Sequence, residues 1–451
     1  MQNTNLTTEN FLTEQTKWEE LVGDILAEAR KQGATSAEAS VSKGLGFTAS
    51  VRMGAVETIE YHRDKGVGIT VYFGQRKGSA STSDTNQESI KATVTAACNI
   101  ARLSGEDPYA GLADPALLAK NYPDLDLYHP WAIDTDQAVT LALECEQQAR
   151  AVDKRINNSE GASVSTYQSL GIYGNSNGFI GGCASSRHSV SCSVVAEDAS
   201  GMQRDGYYTV ARDAMDLEAI GVVAKHTGER TVQRLGSRRI KTCKVPVIFH
   251  AELARGLFGS FLSAISGGNL YRKATFLLDQ LGKQVFTKDL SLFERPHILK
   301  GLGSAPFDAE GVVTADRTLV ENGILQGYLL GSYSARKLGM QSTGNAGGAH
   351  NIVVKTSTFD LPALLKQMHT GLLVTEVMGQ GVNIVTGDYS RGAAGFWVEN
   401  GEVQFPVSEI TIANNLREMF LHLVAVGNDI DHRGSILTGS ILLENMMIAG
   451  E

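Results

Sequence analysis

The sequence predicts an α+β chain of more than one domain, and three observations lead there. At 451 residues the chain exceeds the roughly 250–300 at which a single hydrophobic core stops growing, so two or three domains are expected. Long amphipathic helical stretches alternate with blocks of short β-rich runs divided by glycine, the pattern of helices laid on meander sheets. A composition of 42% hydrophobic and 20% charged residues is that of ordinary globular domains and not of disordered chains.

Taken in order, Trp18, Leu21, Val22, Ile25, Leu26 and Ala29 recur at helical spacing, with Gly33 as the stop. Ala37–Val41, Phe47–Met53, Val56–His62 and Gly66–Phe73 read as four strands of a meander. Thr85 and Glu88 form a capping box ahead of Ile90, Val94, Ala97 and Ala101. Pro108, Pro115, Pro123 and Pro130 then mark a linker. A helix from Asp136 to about Val152 follows, with strands around Ser163–Tyr167, Gly171–Tyr173 and Ser189–Val195, and a helix from Asp216 to about Leu235. The basic run Gly236–Lys241 leads into a strand at Pro246–Phe249. The expected domains are an N-terminal α+β unit, residues 1–110, a central α/β unit, 111–235, and a strand-rich C-terminal unit, 236–451.

The net charge of −9 and pI near 5.7 argue against direct nucleic-acid binding, which draws on clustered Lys and Arg. Residues Met1–Thr16 lack a basic-then-apolar leader pattern, and no run approaches the 18 or so apolar residues of a membrane span. A cytoplasmic protein is expected. Cys98, Cys145, Cys183, Cys192 and Cys243 form no C-x-x-C pair. In a reducing compartment they serve as small apolar residues.

The last unit is organised around Thr375–Phe405, which holds six glycines among β-branched and aromatic runs. Val382–Thr386 reads as a strand, Gly387–Gly395 as a loop carrying Asp388, Tyr389, Ser390 and Arg391, and Gly395–Phe405 as a hairpin turning at Asn400–Gly401. The loop is a candidate substrate cleft. Val320–Gln326 echoes Val398–Gln404, each built on Glu-Asn-Gly. Asn415 and Glu418 cap a helix with an apolar face of Leu416, Met419, Phe420, Leu423 and Val424. Gly174-Asn175-Ser176-Asn177-Gly178 matches G-x-S-x-G literally, yet Phe179-Ile180-Gly181-Gly182 cannot open a helix well, so a hairpin turn is expected there.

The run Gly387–Gly401, with Phe307–Gly311, Thr343-Gly344-Asn345 and Val426–Asp429 in the same order, resembles the TldD/PmbA family, and within it the PmbA (TldE) branch. The likeness covers nearly the whole chain. It implies a cytoplasmic subunit of a two-chain zinc peptidase, in which a TldD-like partner carries the metal. The zinc-bearing branch has H-E-x-x-x-H on a helix followed by Gly-Leu and a further Gly. Aligning on Gly256, Leu257 and Gly259 places His250, Ala251 and Arg255 at the first His, the Glu and the second His.

Zinc chemistry needs neutral imidazole ligands and a carboxylate to take the proton from bound water. Ala251 does neither, and Arg255 is a permanent cation without a lone pair. Glu252, two residues from His250, makes a poor substitute base. First and sixth positions lie roughly 140° apart on a regular helix, so the family motif implies a local π-type bulge. The family's third ligand, a Cys near the C-terminus, has no counterpart after Cys243. His422, His432 and His350 assemble no ligand pattern.

No catalytic residue and no cofactor are therefore expected in this chain, with zinc in the partner. The expected partners are that TldD-like subunit, or a second copy, and an extended or unfolded peptide, which exposed strand edges could hold. Two other readings stand beside it: a free-standing modulator of an enzyme such as DNA gyrase, and a hydrolase using Ser390 or Ser176, for which no His/Asp partnership can be placed.

Overall fold

The computed structural model describes residues 11–451. Its first half is one antiparallel sheet of six strands. These are β1 (Ser36–Arg52), β2 (Ala55–Phe73), β3 (Arg76–Thr82), β4 (Ile156–Asn175), β5 (Ile180–Asp198) and β6 (Gly201–Ala211), in the order β3-β2-β1-β4-β5-β6. Four helices cover one face: α1 (Phe11–Lys31), α2 (Gln87–Leu103), α3 (Thr135–Ala151) and α4 (Ile220–Gln233). Period-two alternation sends Ala37, Ala39, Val41 and Leu45 of β1 under α1 and α2, and Phe47, Ala49 and Val51 under α3 and α4. The opposite face is a field of Ser, Thr and Gly, in which hydroxyls pair across strands, as in Thr48–Ser165 at 2.9 Å and Ser169–Ser185 at 3.0 Å.

Three expectations change here. The four-stranded meander is one long hairpin with a third strand, because Gly44 and Gly46 do not interrupt β1. They make room for the neighbouring strand: a Cβ on Gly44 would lie 2.0 Å from the Tyr167 hydroxyl, and on Gly46 2.2 Å from the Thr166 carbonyl oxygen. The units expected at 1–110 and 111–235 also share this sheet, since β1 pairs with β4 from Glu38–Asn175 to Val51–Ala162. At α2 the cap is Asn86 and not Thr85; its side chain accepts from the Ser89 N–H at 2.8 Å. Residues 174–178 form the expected β4–β5 turn, where the Ser176 hydroxyl accepts from the Ala37 N–H at 3.0 Å.

The proline-rich stretch is threaded between the halves and is not a free linker. Leu118, Ala119, Leu125 and Leu127 are buried, and its backbone bonds to both sides, Ala119 to Gly311 and Ser186 to Leu127, each at 2.9 Å.

The second half holds β7 (Cys243–Phe249), α5 (Ala251–Ala264), α6 (Gly267–Tyr271), β8 (Leu292–Glu294), β9 (Arg317–Glu321), β10 (Ile324–Leu325), α7 (Ser332–Leu338), β11 (Ile352–Val354) and α8 (Leu361–Met368). It continues with β12 (Gly371–Met378), β13 (Asp388–Glu399), β14 (Glu402–Asn415), α9 (Leu416–Leu421), β15 (Leu423–Val426), β16 (Ile436–Leu437) and β17 (Ile441–Ala449). One sheet runs β10-β9-β8-β11-β16. The other runs β14-β13-β12-β7-β17-β15 and closes on itself, because β14 also pairs with β17. Phe258, Phe261, Phe286 and Phe420 pack between them in one aromatic cluster.

Both Glu-Asn-Gly hairpins form as the turn chemistry demands, with φ of 50° and 79° at Asn322–Gly323 and 55° and 77° at Asn400–Gly401. The stretch before them differs from expectation. Residues 382–387 are a tight turn folded back on β13, with Ser390 N–H donating to Gly381 at 2.7 Å and Gly387 N–H to Asn383 at 2.8 Å. Asp388–Arg391, expected as a loop, begins strand β13 and pairs with Asn415–Ile412 of β14. Closing the sheet gives those residues partners that local composition does not reveal.

Candidate functional site

The positions aligned with the zinc motif lie where β7 passes into α5. His250 is the N-cap of that helix, with φ −55° and ψ 149°, and its N–H donates to the Val374 carbonyl at 3.0 Å. It is outside the helix, and Ala251–Ala264 is regular α-helix throughout. The π-type bulge that the family motif implies is absent from this helix. Burial lowers the His250 pKa, against the opposing field of Glu252, so the imidazole is held neutral.

Ala251 is buried, and its N–H donates to the Ser440 hydroxyl at 3.0 Å. Arg255 donates to the Tyr208 hydroxyl at 2.8 Å and stands 3.5 Å from Asp431. Glu252 is the centre of the cluster. Its Oε1 accepts from Arg230 at 2.7 Å and from Arg433 at 2.6 Å, and its Oε2 from Arg230 at 3.2 Å. Arg433 in turn donates to Asp431 at 2.8 Å and stacks over Tyr207 and Tyr208, 4.5 and 4.9 Å from the ring centres. Arg230 and Arg234 meet Asp205 at 3.4 and 3.2 Å, and Arg234 also pairs with Glu376.

Arg230, Arg234, Arg255 and Arg433 are thus matched by Asp205, Glu252, Glu376 and Asp431. Burial pushes the Glu252 carboxyl up, but hydrogen bonding and charge from Arg230, then Arg433, overcome it and hold the pKa at about 2. Burial likewise lowers the Arg433 pKa, and the Asp431 and Glu252 hydrogen bonds more than reverse that. These residues do not fit a catalytic zinc. Ala251 brings no donor atom, Arg255 no lone pair, and the Glu252 oxygens are taken by guanidinium groups. Among the described residues no group of three or more His, Cys, Asp and Glu converges as a metal cage.

The other sequence candidates fall elsewhere. Tyr389 is buried edge-on against Phe249, 6.2 Å between ring centres, and burial pushes its pKa up to about 12. Asp388 accepts from Thr386 at 2.6 Å and from Asn415 at 3.2 Å. Ser390 is exposed on the strand. None of these, nor Arg391, lines the cavity of about 430 Å³ beside His250, whose walls include His226, Glu252, Thr375, Phe396 and Arg433.

His350 bonds the Gly344 carbonyl at 3.0 Å, and Glu294 accepts from Asn345 at 2.7 Å and Arg317 at 2.8 Å. Asp308 accepts the N–H groups of Glu310, Val312 and Ala346, each at 2.9 Å. The Phe307–Gly311 and Thr343–Asn345 motifs therefore stitch loops together. Sequence reasoning missed Arg230, Asp205, Arg234, Glu376 and Arg433; only Asp431-x-Arg433 offered a local sign of pairing.

The chain ends in a closed sheet, with a helix opening at the position that aligns with the metal motif. Three models of the PmbA/TldA metallopeptidase match it, domain 1 at residues 37–101, the central domain at 128–235 and the C-terminal domain at 242–450. Metalloprotease PmbA of Escherichia coli O157:H7 is 51% identical over 426 residues, 94% of each chain. A crystal structure from Bacteroides thetaiotaomicron, described as a modulator of DNA gyrase, superposes with a TM-score of 0.92 at 26% identity, covering 97% of this chain and all of that one. TldE of Thermococcus kodakarensis shares the fold, with a TM-score of 0.84 at 22% identity over 95% of this chain and 100% of its own. The chain belongs to the PmbA/TldD metallopeptidase family.

Proposed function

We propose that this chain is the zinc-free subunit of a two-chain metallopeptidase, shaping the substrate cleft of a TldD-like partner that supplies the H-E-x-x-x-H motif. One observation carries the reading. The family's fold is intact, while the motif position is filled by a closed ion-pair network around Glu252 in place of ligands and a general base. A scaffold kept without its own reagent suits a shared site.

The test is a mixing experiment with an unfolded peptide: each chain alone, then both. Cleavage that appears only in the mixture supports the reading. Undiminished cleavage by the partner alone refutes it. A gyrase-modulator role is the competing reading, favoured by the description given to the Bacteroides structure. Stable gyrase binding by this chain, with no zinc-bearing partner co-purifying, would favour it instead.

A further inference from the structure

Between the hydroxyl-bearing face of the first sheet and the segment 304–309 of the second half lies a cavity of about 870 Å³, within the range of about 300–1,000 Å³ usual for ligand sites. Its floor is made of short side chains, among them Ser40, Ser42, Ser169 and Ser185. Tyr173 is the long side chain that rises from it, at the Glu38 end.

Each end carries a charge without an ionic partner among the described residues. At one end, Glu38 accepts hydrogen bonds from Tyr72 at 2.9 Å and Tyr173 at 2.8 Å, and forms no ion pair. Both phenols are pushed up in pKa, by burial and then by the Glu38 charge, so they remain protonated donors. Glu310 adds negative field at the same two tyrosines. Arg336, whose field reaches Tyr72, spends its guanidinium on the carbonyls of Tyr109, Gly111 and Leu112.

At the other end Arg212 donates to the Ser186 and Leu302 carbonyls at 3.1 and 3.0 Å, meets no carboxylate, and keeps a buried Nε without a hydrogen-bond partner. A carboxylate held by two neutral donors and a guanidinium held by two carbonyls are each uncompensated in charge, and each favours a mobile counter-charge.

Their separation selects the ligand. The register joins Leu45 to Gln168 and Gln168 to Ser186, so Ser186, whose carbonyl accepts from the Arg212 guanidinium, sits seven residues along β1 from Glu38 and two strands across. At about 3.3 Å per residue and about 4.8 Å per strand the ends are roughly 20–25 Å apart. An amino acid or dipeptide, spanning about 7 Å at most, cannot bridge them.

We infer that this groove binds an extended peptide of about six or seven residues, its free amino terminus at Glu38 and its free carboxylate at Arg212. The hydroxyls of the floor meet backbone amides without selecting side chains, which suits a sequence-tolerant site. The inference deepens the peptidase-subunit reading by giving this chain a peptide site of its own. It is measured on this chain alone, so its failure leaves the mixing experiment untouched.

The experiment is calorimetric titration of the full chain with an unlabelled Gly/Ser/Ala heptapeptide, its N-acetylated form, its C-amidated form and a dipeptide. Expected is saturable heptapeptide binding, weakened about tenfold or more by capping either end, and no measurable dipeptide binding. In Glu38→Gln, acetylation should cease to matter while amidation still does; in Arg212→Met, the reverse. Because each variant is read by its residual end-sensitivity, a mild loss of stability does not mimic the result. No binding at millimolar peptide, or binding indifferent to both caps, overturns the inference.

Discussion

Replacing Glu252 by Gln should destabilise the second half of the chain in a way that depends on pH. The Glu252 carboxyl is held at about 2 against an ordinary 4.5, which corresponds to about 3 kcal/mol. Its side chain is only 16% exposed, so solvent screening removes little of this. Its removal also leaves Arg230 and Arg433 short of a counter-charge, a change of the kind that costs about 3–5 kcal/mol in buried pairs. The folded-state pKa is depressed, so the stabilisation is complete above about pH 4.5 and fades as the pH falls toward 2. For a unit of about 200 residues the loss at pH 7 corresponds to roughly 6–12 °C in Tm. Thermal unfolding followed by near-UV circular dichroism from pH 7 to pH 3 reads both features. The gap between wild type and Glu252→Gln should be widest at neutral pH and close steadily below pH 4.5. A Tm within about 2 °C of wild type at pH 7, or a gap that does not narrow in acid, would refute the account of Glu252 as the charge centre.

Three further outcomes follow from the same physics. The dialysed chain should hold well under one zinc by elemental analysis; about one zinc per chain, lost on His250→Ala, would contradict the argument from Ala251 and Arg255. Gel shifts at about 0.1 M salt should show no tight DNA complex, and submicromolar binding with a steep salt slope would overturn the charge argument. Gly46→Ala should reduce soluble yield and Tm strongly, since its Cβ meets the Thr166 backbone. Gly44→Ala, which meets a Tyr167 side chain, should be milder and rescued by Tyr167→Ala.

Elements specified by local chemistry were legible in the sequence, and elements specified by distant partners were not. The helix around Trp18–Ala29 shows itself by spacing, and the two Glu-Asn-Gly hairpins by residues that tolerate positive φ. Gly44 and Gly46 mislead because their reasons, the Tyr167 side chain and the Thr166 backbone, lie on another strand, so a strand of 17 residues reads as two. The same non-locality hides the shared sheet, since β1 and β4 meet only after more than a hundred residues of intervening chain. At the site, the missing donor atoms could be read directly from Ala251 and Arg255. What replaced them could not, because Glu252 meets Arg230 across 22 positions and Arg433 across 181.

The form of that replacement bears on where a peptide is recognised. Four arginines against four acids make a formally neutral cluster whose guanidinium and carboxylate groups are turned on one another. Such a network fixes the junction of β7, α5 and the Asp431–Arg433 segment, yet it projects little net field and offers few free hydrogen-bonding positions to a ligand. The groove over the first sheet has the opposite character, with few fixed contacts across it and a single uncompensated charge at each end. If this chain contributes to peptide capture, the physical division is that the former motif position holds the fold together and the serine-floored groove meets the ligand. Variants at Glu252 should accordingly change stability without changing the end-sensitivity of peptide binding, whereas Glu38→Gln should do the reverse.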